Sequence, residues 1–164
     1  MRTIHFLLAL PLLLTACGET DPIELTNRGS AAVGKGEWMT AKAEFENALA
    51  HMDPSNPQYM RASVGRCQAL ARLEPAEGKA AFLKLAAANK DKIAVGDVHL
   101  VVSEFVVKKE FLLAADLMES AQAMFPDSQK LKELGESVAT ASRKAGDTKA
   151  SARLKSLGYV GSTD

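Results

Sequence analysis

The chain has 164 residues, 47% hydrophobic and 24% charged, with 20 basic side chains against 20 acidic ones. That balance gives no electrostatic footprint for nucleic acid, and two cysteines exclude the disulfide framework of a small secreted domain. The length is enough for one domain.

The first sixteen residues stand apart in composition. Arg2 lies near the start, and Phe6-Leu7-Leu8-Ala9-Leu10-Pro11-Leu12-Leu13-Leu14 is an apolar run of nine residues. A basic start, a short apolar core and small residues after it are the layout of a secretory signal. Nine residues cannot span a hydrocarbon layer, which takes about 20. The ending Leu14-Thr15-Ala16-Cys17 resembles the lipobox of bacterial lipoproteins. That resemblance implies a diacylglycerol on the Cys17 sulfur, cleavage before Cys17, and acylation of the new amino group. A single acyl chain binds a membrane marginally, whereas two signals anchor firmly. The plainer alternative is an ordinary secretory signal that happens to precede a cysteine. Gly18, not Asp, follows Cys17, which leans the expected location towards the outer membrane, facing the periplasm.

Residues 17–21 are then a short tether, and Asp21-Pro22-Ile23-Glu24 reads as an N-cap, a first-turn proline and a capping-box glutamate that open a helix. Gly34-Lys35-Gly36 is a turn. It lacks the length and the Ser or Thr of a phosphate loop. A second helix carries Ala41, Phe45 and Ala48 on one face. Asn56-Pro57 starts a third, which contains Cys67. With Cys17 lipidated, Cys67 has no partner for an internal disulfide, and its apolar setting reads as a buried, inert thiol. Ala81, Leu85 and Ala88 mark a fourth helix, and residues 89–96 form a linker.

Val98-His99-Leu100-Val101-Val102-Ser103-Glu104-Phe105-Val106-Val107 has the β-branched character of a strand. A lone strand in a helical chain would have no partner, so the segment is expected to be a helix. Asp127-Ser128 begins a further helix, Gly146-Asp147 separates the last pair, and Leu157-Gly158 closes the final helix on a C′ glycine. Residues 159–164 are a tail.

A small–apolar–small pattern at offsets of four and three recurs in these helices. It reads Ala41-Phe45-Ala48, Ala81-Leu85-Ala88, Ala114-Met118-Ala121 and Ala150-Leu154-Leu157, with starts 40, 33 and 36 residues apart. A period near 34 signals stacked helical hairpins. The first copy, Gly36, Trp38, Ala41, Phe45, Ala48 and Pro54, resembles the second half of a tetratricopeptide repeat. The third matches through Phe111, Ala114, Met118, Ala121 and Pro126, with Lys109 in place of the usual glycine. The second copy fits less well: Gly78 stands where an aromatic is expected, and the spacing calls for about five extra residues. The fourth has Leu131, Leu134 and Gly135 in its first half and Gly146, Ala150 and Leu154 in its second. The expected fold is therefore all-α, a tetratricopeptide-like superhelix of about four helix-turn-helix repeats over residues 22–158.

No constellation for catalysis stands out. His51 and His99 are 48 residues apart with no second ligand at metal spacing. Ser142-Arg143-Lys144 has its lysine one residue too close for a Ser-x-x-Lys arrangement, and Glu44 and Glu46 face different ways on a helix. The expectation is a non-enzyme with no metal and no cofactor. Charge is uneven along the chain: residues 17–57 hold seven acids and three bases, and residues 129–157 seven bases and three acids. This is either a set of solvated helix faces or a basic end that meets an acidic partner or anionic lipid.

In the tetratricopeptide family the first helix of each pair lines a concave face that grips a peptide or a partner's helix. The resemblance places Thr26, Ser30, Arg61, Gln68, His99, Ser103, Lys132 and Glu136 on that face. Only four residues separate Cys17 from the first helix, so a lipidated chain would hold the domain within about 15 Å of the bilayer. The expected function is a membrane-tethered adaptor that binds a protein or peptide partner in cell-envelope assembly. It is similar to the small tetratricopeptide lipoproteins of pilus and secretion machinery. The alternative is a passive envelope lipoprotein whose repeats support a homo-oligomer.

Overall fold

The computed structural model describes residues 21–160; the signal-like segment and Cys17 lie outside the described residues. Within them the chain is all-helical, with no strand. It forms α1 (Pro22–Lys35), α2 (Trp38–Ala50), α3 (Tyr59–Leu73), α4 (Pro75–Ala88), α5 (Val95–Lys108), α6 (Phe111–Met124), α7 (Gln129–Lys144) and α8 (Thr148–Ser156), with one 3₁₀ turn at Lys90–Lys92 before α5. No helix among the described residues is long and apolar enough to cross a membrane.

Several boundaries follow from local chemistry. Asp21 Oδ1 accepts from the Ile23 amide at 2.9 Å and Pro22 fills the first turn. Glu24 does not complete a capping box; it lies 3.9 Å from Arg28 one turn on. Ser128 Oγ accepts from the Leu131 amide and Asp147 Oδ1 from the Ala150 amide. These side-chain acceptors satisfy amides that have no intrahelical partner. Asn56 Oδ1 takes the Gln58 amide, and α3 begins just beyond, at Tyr59. Gly36 closes α1 and Lys109 closes α5, both with left-handed backbone (φ 75° and 61°).

The β-branched segment is helix, as its surroundings require. Val98, Val101, Val102 and Phe105 are all fully buried, and spacings of three, one and three define one helical face. Burial of that face outweighs the local strand preference of valine, because propensity is a weak prior against tertiary packing.

Each helix packs on the next, and α1 with α3, α3 with α5, α5 with α7, α4 with α6, and α6 with α8 also meet. Among the described residues, extensive packing reaches only the next helix or the one after it. The core accordingly runs along the stack. Leu25, Ala32, Ala41, Phe45 and Ala48 fill its first part, and Phe82, Val98, Phe105, Leu117, Met118 and Leu154 fill the rest.

The second repeat copy is corrected by the structure. Ala81 and Leu85 are only half-buried and Ala88 is exposed, whereas Gly78, Phe82 and Ala86 are buried. The small positions are thus Ala41, Gly78, Ala114 and Ala150, spaced 37, 36 and 36 residues, and the apolar residues four further on are Phe45, Phe82, Met118 and Leu154. The insertion of about five residues disappears. The reason is steric. A Cβ on Gly78 would lie 2.3 Å from the Ala71 backbone nitrogen, so α3 and α4 touch through their backbones where even alanine is too large. The same logic seats Phe45: its ring lies where a Cβ on Gly29 of α1 or Gly65 of α3 would be, at 2.8 and 2.4 Å respectively. At the far end, the Tyr159 ring occupies the space over Gly135, so the packed chain continues one residue into the expected tail.

Candidate interaction site

The residues expected on the first-helix face do not share one site. Ser30, Arg61 and Gln68 come together around one depression of about 360 Å³. Its walls also include Val33, Phe45, Met60, Val64 and Gly65 from α1, α2 and α3, and Lys92, Asp97 and Leu100 around the start of α5. His99 lies exposed in a separate depression of about 340 Å³ between α5 and α7, with Lys130 and Glu133. Lys132 is exposed beside a third, of about 230 Å³, formed by Phe125, Leu157 and Tyr159. Ser103 and Glu136 are half-buried. Thr26 is fully buried with its hydroxyl donated to the Pro22 carbonyl, so it sits beneath the face and not on it.

The first depression is organised by hydrogen bonds between successive odd-numbered helices. Arg61 reaches across to α1, where Nη1 donates to Asn27 Oδ1 and Nη2 to Ser30 Oγ, both at 3.2 Å. Ser30 donates its own proton to the Thr26 carbonyl at 2.9 Å, which leaves its lone pairs for Arg61. Both acceptors of Arg61 are neutral, and it pairs with no carboxylate among the described residues. Other arginines differ: Arg28 pairs with Glu24 and Glu44, Arg66 with Glu46, Arg72 with Glu104, and Arg153 with Glu119.

A second network backs the depression. Glu104 is only 7% exposed, and its carboxylate accepts from Gln68 Nε2 at 2.9 Å and Arg72 Nη1 at 3.3 Å. The Arg72 guanidinium in turn lies 5.3 Å from the centre of the Trp38 ring, within cation–π range. Gln68 is thereby held by α5 at the edge of the opening. A buried carboxylate is costly unless it is paired, so this chain from α2 through α3 to α5 fixes how three helices lie against one another.

Asn27, Met60, Lys92, Asp97 and Leu100 were not singled out by the sequence. Leu100 sits one residue from His99 on α5, whereas Asn27 lies outside the lining and bears on the depression only through its bond to Arg61. Glu104 carried a legible signal as an acid on the side of α5 that also holds Val101, Val102 and Phe105.

Cys67 is buried among α2–α4 side chains, and burial pushes its thiol up from 9.0 to about 11. Such a thiol stays protonated and is a poor nucleophile. Among the described residues no group of His, Cys, Asp and Glu side chains is arranged to hold a metal ion. Comparison with protein-family models, with curated proteins and with solved structures finds no match for this chain.

Proposed function

We propose that the chain is a lipid-anchored helical-repeat adaptor of a bacterial cell envelope, built on a tetratricopeptide-like plan. In this reading Cys17 carries the lipid, the anchor lies in the outer membrane facing the periplasm, and a segment of a protein partner is held along the face made by α1, α3, α5 and α7. The observation that carries the reading is the depression at Ser30, Arg61 and Gln68. Polar side chains from consecutive odd helices ring an apolar floor there, and a polar rim on an apolar floor is how proteins hold peptides and ligands. The sequence Leu14-Thr15-Ala16-Cys17 supports the anchor, and the repeated Ala41, Gly78, Ala114 and Ala150 support the repeat plan.

Two measurements test it. Radiolabelled palmitate should mark the chain when it is expressed in bacteria, and Cys17→Ser should abolish the label; an unlabelled chain removes the anchor. A photo-reactive residue at Gln68 should cross-link one foreign protein in the native membrane. Cross-linking to further copies of the same chain alone would favour the self-associating alternative.

A further inference from the structure

We infer that the depression between α1, α3 and α5 takes an acidic–apolar segment of a protein partner, with a partner carboxylate on Arg61 and the neighbouring apolar side chain on the floor. The inference rests on the reading of this face as a protein-binding surface and names the chemistry of what it holds. Charge complementarity decides the occupant. Arg61 is held in place by Asn27 and Ser30, yet neither cancels its charge. A guanidinium fixed by two neutral acceptors keeps donors free and has no side-chain ordering left to lose on binding. Lys92 stands on the same rim and also pairs with no carboxylate among the described residues. The one acid in the lining, Asp97, has Oδ2 engaged by the Ala94 amide at 2.8 Å. Two cations against one engaged carboxylate leave the rim positive, in a chain whose acids and bases balance overall.

The floor sets the second requirement. Val33, Phe45, Met60, Val64 and Leu100 are apolar, and Gly65 lets the Phe45 ring sit against α3 by offering no Cβ. Leu100 is 42% exposed and gains burial only when something occupies the site. A volume of about 360 Å³ admits a leucine-sized side chain with its adjoining backbone. A purely acidic ligand would leave the floor wet, and a purely apolar one would leave Arg61 partly desolvated without a counter-charge.

N-acetyl-L-leucinate is the probe, because it joins one carboxylate to one isobutyl group; N-acetyl-L-leucinamide is its uncharged counterpart. The full chain, carrying ¹³C at its methionine methyls, is titrated with each. Met60 lines the site, and Met52 and Met118, buried elsewhere, report on folding. Leucinate should shift Met60 saturably and bind about tenfold tighter than leucinamide or better. Arg61→Gln should erase that preference while leaving Met52 and Met118 in place, and Arg61→Lys should keep part of it. Equal binding of the two probes, an unmoved Met60 at every soluble concentration, or a preference intact in Arg61→Gln would each overturn the inference. The titration needs neither the lipid nor the natural partner. A negative result beside a successful partner cross-link therefore sinks this site and leaves the adaptor reading standing.

Discussion

Gly78→Ala places one methyl group where α3 and α4 meet backbone to backbone. The added Cβ would sit 2.3 Å from the Ala71 nitrogen, 2.4 Å from its Cα and 2.9 Å from the Leu70 carbonyl carbon. Relief requires the two helices to part by about 1 Å, because ordinary carbon contacts lie at about 3.5–4.0 Å. No flexible side-chain end is available to swing away, since every crowded atom is main chain. Alanine regains about 1 kcal/mol of helix propensity over glycine. Overpacking costs about 1–3 kcal/mol and sometimes more, and a gap of that size forfeits a quarter to a half of the dispersion at each parted contact, here including fully buried Leu70, Ala71 and Phe82. We expect a net loss of about 2 kcal/mol, read by urea denaturation as a lower midpoint at unchanged slope. Gly34→Ala is the control. Nothing lies within 4 Å of its added Cβ, and it should stabilise by about 0.5–1 kcal/mol. If Gly78→Ala matched or exceeded the wild type, the backbone contact of α3 with α4, and the repeat register centred on Gly78, would be refuted.

Arg72→Ala should destabilise by about 2 kcal/mol, below the full cost of breaking a buried pair because Arg72 is itself 30% exposed; in the double variant with Glu104→Gln most of that loss should return, and additive losses would argue against a coupled pair. Lys109→Gly should stabilise by about 1 kcal/mol, since φ 61° is a left-handed conformation that glycine adopts without strain; a thermal midpoint that fails to rise would count against it. Cys67 fixes a pH response. Its thiol ionises near 9.0 when unfolded and near 11 when buried, so its contribution is whole below pH 9 and fades as pH rises from 9 to 11, by up to about 2–3 kcal/mol. Cys67→Ala should flatten the stability profile in that window, and an identical profile in both proteins would dismiss the thiol as its source.

The helices were legible wherever one local rule was enough. Asp21, Ser128 and Asp147 announce their caps; residues 98–107 did not yield to a local rule, because their β-branched side chains favour strand and helix was expected only since a lone strand would have no partner. Gly78 was misread because alanine is the residue one looks for at a close helix contact. Whether a contact is so close that only glycine fits depends on the distance between two axes, which no local pattern encodes. Of the residues that the tetratricopeptide resemblance implied for one face, Ser30, Arg61 and Gln68 line a single depression, while Thr26 turned inward. That Arg61 would bond Asn27, or that Glu104 would bury itself between Gln68 and Arg72, depends on the longitudinal offset of α1, α3 and α5, which is set only when they pack.

Packing confined to the next helix or the one after it has a mechanical corollary. Among the described residues no single centre is shared by all the helices, so damage should spread from an edge instead of collapsing the whole. The weakest edge is the nine-residue α8, with Tyr159 as the latch that keeps it shut over Gly135. A steady pull on the two termini should peel the protein like a zip, one hairpin per step, beginning where that latch lets go.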